Sequence, residues 1–189
     1  MAMLEYNEAV ERSLIILNGE PYEVITSHVF RKQQRKPVNA TKLKNLFTGK
    51  VTEYSFHQSE KIEEAEIETR KVKLLYKSKG ECWFCEKDDP SKRFSISEEL
   101  AGPKIQYIKA NSILELMTFE ERNIGFKYPI TVELKVTEAA PAVAGDTVKG
   151  GSKAIILETG AEIYGPLFIN EGDIIKINTE TGEYRERVS

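Results

Sequence analysis

A chain of 189 residues carrying 27 basic and 30 acidic side chains, with a formal net charge of -3, is a soluble protein of one large domain or several small ones. No apolar run approaches the roughly 20 residues that span a bilayer, and the charged start Met1 to Arg12 lacks the apolar core of a secretion signal, so a cytoplasmic protein is expected. Two cysteines, Cys82 and Cys85, exclude the disulfide framework of a small secreted domain and leave stability to a hydrophobic core.

Short strands with turn punctuation recur along the chain. Ser13 to Leu17 runs into Asn18-Gly19 and resumes through Pro21 to Ile25, which predicts a hairpin because both turn residues accept positive φ. Val38 to Leu46 and Val51 to Phe56 predict a second pair, joined through Phe47 to Lys50. After an acidic stretch from Glu60 to Glu68, strands are predicted over Val72 to Tyr76, Glu81 to Phe84 and Arg93 to Ile96, with a turn at Lys77 to Gly80. Around Glu98 to Asn111 the spacing suits one short helix, capped by Ser97 and interrupted by Pro103. Ile113 to Phe119 and Ile124 to Tyr128 flank a turn at Glu121-Arg122-Asn123, and Pro129 marks a boundary. The last third adds strands over Thr131 to Val136, Ala154 to Glu158, Ala161 to Tyr164 and Ile174 to Asn178, with glycine turns between them. Strands at this spacing predict small barrels or sandwiches, in three units of roughly 60 residues.

Charge is distributed unevenly. Between Glu23 and Glu53 there is no acid, while Arg31, Lys32, Arg35, Lys36, Lys42, Lys44 and Lys50 supply seven positive charges. The rest of the chain sets 20 basic against 30 acidic residues, a balance of about -10. A cationic lobe on an acidic body suits a polyanion, because neutralising phosphates releases counterions and steers encounter. The segment Phe30-Arg31-Lys32-Gln33-Gln34-Arg35-Lys36-Pro37 falls between predicted strands, and period-two alternation puts Lys42 and Lys44 on one side of the next strand. Loop and strand together are expected to form one cationic surface, suited to the backbone of a folded RNA.

Other candidates for chemistry read more simply. Cys82-Trp83-Phe84-Cys85 is a Cys-x-x-Cys, but in a predicted strand rather than at a helix start, where a thiol is activated. Zinc would need ligands beyond His28 and His57, which lie far away in sequence, so the cysteines are expected to act as small hydrophobes. No sequence pattern around either histidine suggests a catalytic relay. Gly150-Gly151-Ser152-Lys153 lacks the spacing of a phosphate loop and reads as a turn. Nothing points to an active site, a metal or a cofactor.

Leu17 to Tyr22, Thr41 to Leu46 with Thr48-Gly49-Lys50, and above all Leu157-Glu158-Thr159-Gly160, Pro166-Leu167-Phe168-Ile169, Gly172-Asp173, Asn178-Thr179 and Gly182-Glu183-Tyr184 resemble bacterial translation elongation factor P over essentially the whole chain. The resemblance implies a mainly β protein of three small barrels in an L-shaped, tRNA-like arrangement. A KOW-type, SH3-like barrel over residues 1–65 would be followed by OB-fold barrels over 66–128 and 129–189. It also implies a monomeric, non-enzymatic factor whose partners are the 70S ribosome, its ribosomal RNA and peptidyl-tRNA in the P site. There it helps peptide bonds form at consecutive prolines.

On this chain the loop tip Lys32, Gln33, Gln34, Arg35 and Lys36 would meet the CCA end, with Arg31, Lys42 and Lys44 on RNA backbone. Gly145, Asp146 and Thr147 would face the small subunit near the E site, and Tyr184 with Arg187 would form a functional pair near the carboxy terminus. The family often carries a modified lysine or arginine at the tip. Gln34 stands at that position here and cannot accept those modifications, whereas a one-residue shift would place Arg35 there. A generic RNA-binding or scaffold protein with a basic loop is the alternative function.

Overall fold

The computed structural model describes residues 2–31, 36–141 and 151–189, and falls into two compact units. The first comprises Met1–Arg70 and Leu116–Gly125. Its six strands are β1 (Met3–Glu5), β2 (Leu14–Leu17), β3 (Glu20–Phe30), β4 (Val38–Asn45), β5 (Val51–His57) and β6 (Lys61–Glu64), in the order β1-β6-β2-β3-β4-β5. The β2–β3 turn forms as the sequence predicts, with Asn18 at φ 54° and Gly19 at φ 78°, the left-handed pair that matches the twist of a hairpin.

Alternation along β4 buries Asn39, Thr41, Leu43 and Asn45. Leu43 joins Ile15, Val24, Phe56 and Ile62 in the core, while the two asparagines are satisfied by polar partners. Asn39 Nδ2 donates to the carbonyls of Tyr6 (2.8 Å) and Ala9 (3.0 Å). Asn45 Oδ1 accepts from the backbone N–H groups of Phe47 and Thr48 at 2.9 Å each, which fixes the β4–β5 turn. A second cluster joins Phe119 and Ile124, on the hairpin tip 116–125, to Ala65, with Leu14, Ile16, Leu46 and Phe47 packed against it.

The second unit, Lys71–Glu115 with Phe126–Ser189, is built on two five-stranded sheets. The first sheet contains β7 (Glu68–Ser78), β8 (Glu81–Glu86), β9 (Arg93–Ser97), β10 (Ile113–Phe119) and β11 (Arg122–Lys127), and some of its residues belong to the first unit. The second sheet contains β12 (Thr131–Ala139), β13 (Ser152–Leu157), β14 (Glu162–Pro166), β15 (Ile174–Asn178) and β16 (Tyr184–Arg187). Both run in the spatial order third, second, first, fourth, fifth, the order of the OB-fold, and form curled, partly open half-barrels. The long first strand of each carries an irregularity, between Leu74 and Tyr76 in β7 and between Val136 and Glu138 in β12, which bends the strand and tightens its twist.

Between β9 and β10 lie a helix, α1 (Glu98–Ala101), and a 3-10 turn (Pro103–Tyr107). Ser97 Oγ accepts from Leu100 N–H, so cap and interrupting proline act as the sequence predicts. Tyr107 reaches the core of the last sheet, and the 3-10 turn is tied to the loop after β15 by Lys104 and Glu180 at 2.6 Å.

Four local expectations need correction. β1 and β6 went unpredicted because their pairing, Leu4 with Ile62, joins distant segments and buries little within either. β16 was missed because Tyr-Arg-Glu-Arg is a polar edge strand. The β10–β11 turn falls at Glu120-Glu121, with φ 46° and 65°, not at 121–123. Two acidic residues in that conformation carry no glycine signal.

Candidate nucleic-acid interface

The basic segment interrupts a continuous ladder. Phe30, the last residue of β3, is paired with Val38, the first of β4, and Val38 is paired on its other side with His57 of β5. The segment therefore springs from a root fixed by hydrogen bonds on both strands. Arg31 and Lys36 are exposed at its two ends, while Lys32, Gln33, Gln34 and Arg35 lie outside the described residues.

Lys42 and Lys44 are both exposed on the outer face of β4, as alternation requires. The expectation of one continuous cationic surface, however, overlooks their neighbours. Lys42 Nζ lies 3.6 Å from Glu53, and Lys44 stands opposite Glu23 in the register. Antiparallel pairing folds the two acids that bound the acid-free stretch back beside its lysines. Lys42 and Lys44 thus each have an acid beside them on the sheet.

The other sequence candidates separate. His28 stacks on Phe30 with ring centroids 5.9 Å apart, and the His57 backbone N–H donates to Glu60. Cys82 and Cys85 are free and buried, three positions apart on β8, so alternation turns them to opposite faces of the sheet. Burial raises the Cys82 thiol above its ordinary range, with Glu98 adding to the effect. This is a core environment, not that of an activated thiolate.

On β16, Tyr184 and Arg187 converge on one aromatic ring. Tyr184 meets Phe168 edge-on at 6.4 Å, and the Arg187 guanidinium lies 5.7 Å from the same ring while facing Asp173 at 3.6 Å. Phe168 itself is 57% exposed, although its neighbour Ile169 is fully buried. It was missing from the expected site; an aromatic beside the buried position of a Leu-Phe-Ile run was the only signal. The neighbouring Glu186 carboxyl, hydrogen-bonded by Lys176 at 2.5 Å, is held below its ordinary range and secures β16 to β15. Gly145, Asp146 and Thr147 lie outside the described residues.

A basic hairpin end on a six-stranded sheet, followed by two curled sheets of OB order, defines a modular β protein of the kind that handles RNA. Residues 13–62 match the KOW-like domain of elongation factor P, and residues 132–187 match its C-terminal domain. Elongation factor P of Thermotoga maritima is 40% identical over 182 residues, covering 96% of this chain and 98% of its own. That of Carboxydothermus hydrogenoformans is 37% identical over 186 residues, covering 98% and 100%. Among solved structures, the eukaryotic translation initiation factor 5A from Methanococcus jannaschii shares the fold, with a TM-score of 0.51 at 14% identity over 65% of this chain and 91% of its own. The chain belongs to the elongation factor P family and is a translation elongation factor.

Proposed function

We propose that this factor binds the ribosome between the P and E tRNA sites and presents its basic hairpin end to the CCA end of peptidyl-tRNA, promoting bond formation at consecutive prolines. The observation that carries this reading is the root of the loop. The ladder is paired to its last residue, Phe30 with Val38, so the segment that the sequence makes richest in cations is anchored at both ends on a hydrogen-bonded sheet. The protein does no bond chemistry in this reading. It holds the tRNA end in a reactive pose, lowering an entropic barrier that proline's locked ring makes high.

Gln34 and Arg35 serve as the tip through their own side chains, without modification, and the guanidinium offers a planar fork to phosphate or base. Tyr184, Arg187 and the Gly145-Asp146-Thr147 segment make contacts on the small-subunit side. The factor acts as a monomer in the cytoplasm, with barrels at 1–65, 66–128 and 129–189.

Synthesis of a Pro-Pro-Pro peptide on purified ribosomes tests this reading. Mass-verified, unmodified protein is expected to stimulate it, and changing Gln34, Arg35 and Lys36 together to alanine is expected to remove most of the stimulation. Stimulation by the unmodified protein that survives in the variant would remove the loop from the mechanism. Ribosome binding without stimulation would point to a missing modification or a mismatched ribosome.

A further inference from the structure

On one face of the β7–β8–β9 sheet we propose a second RNA contact: a stacking platform for unpaired bases formed by Tyr76 and Trp83. The two residues are cross-strand partners, and their rings stack with centroids 5.9 Å apart and planes 20° from parallel. Tyr76 is 51% exposed, so one face of the pair is open to solvent. Trp83 is half-buried and pairs on its other side with Ser95 of β9, a small and exposed residue. The opposite face of β8 is core: Phe84 is fully buried and stacks on Phe94 and Phe126.

The adjoining outer row reads Lys73, Cys85, Arg93 in register. Cys85 is buried and Arg93 is exposed, so the accessible chemistry of that row is cationic. Glu81, in register with Ser78 and Ser97, bounds the platform on the other side. Adjacent aromatic and cationic rows complement a single strand, with bases on the rings and phosphates along Lys73 and Arg93. This is also the strand face on which OB-folds bind oligonucleotides. Backbone contact alone would need no exposed aromatic ring such as that of Tyr76. The inference does not depend on what the hairpin loop does.

Trp83 is the only tryptophan, so its fluorescence reports the platform directly. Titration of the full chain with hexa-adenylate RNA is expected to give saturable quenching. Tyr76→Leu should weaken the affinity about tenfold, within the range for loss of one stacked base, while Tyr76→Phe should keep it. Replacing Lys73 and Arg93 with glutamine should flatten the salt dependence. Circular dichroism of each variant checks that the sheet is retained. Absence of quenching, equal binding of an RNA duplex of the same length, or unchanged affinity in Tyr76→Leu would each overturn the proposal.

Discussion

Gly182→Ala is expected to cost about 2–4 kcal/mol of stability, a large effect for one methyl group on a loop, from positive-φ strain and overpacking together. A Cβ at Gly182 would clash with Tyr107 Oη and meet its Cζ at 3.2 Å, and the residue sits at φ +71°. The ring cannot simply swing aside, because Tyr107 packs on the core of the last sheet while its 3-10 turn is tied to Glu180 through Lys104. Urea unfolding gives the difference. Pairing the change with Tyr107→Phe should recover about half of it by removing the closest atom, while the positive-φ strain remains. A single variant no less stable than the parent would show that this junction yields easily.

The second large effect concerns the sheet that carries the basic hairpin. Phe119→Ala is expected to cost about 3–5 kcal/mol, the usual range for emptying a buried phenylalanine site. Phe119 is 4% exposed and meets Phe47 edge-on at 6.3 Å, and Arg122 lies 3.8 Å over the other ring partner, Phe47. The hairpin tip thus forms part of the packing beneath β2 and the β4–β5 turn. Hydrogen exchange should show the amides of β2 and of residues 116–125 losing protection together. Loss confined to residues 116–125 would mean that the tip is an accessory to this sheet rather than part of its core.

Much of this architecture was legible where the signal is local. Asn18-Gly19 announces its hairpin because two consecutive left-handed residues leave few alternatives, and Ser97 with Pro103 brackets its helix for similar reasons. Elements that depend on distant partners were not legible. β6 is a strand because β1 and β2 lie beside it, and nothing in Lys61-Ile62-Glu63-Glu64 announces that. The charge map is incomplete in sequence for a related reason: a stretch free of acids is flanked by Glu23 and Glu53 in the register, beside Lys44 and Lys42. At the last sheet the resemblance supplied Tyr184 and Arg187, but only packing shows that both address Phe168.

The opposed placement of Cys82 and Cys85 has a practical side. Each native thiol is buried in a different side-chain layer of the β7–β9 sheet, Cys82 with the inward side chains and Cys85 on the face that carries Trp83. Alkylating reagents therefore meet neither in the folded state, and each becomes reactive only when its own layer opens. The chain carries two built-in clocks for the breathing of one sheet, and a dye attached at a newly introduced surface cysteine would not have to compete with them.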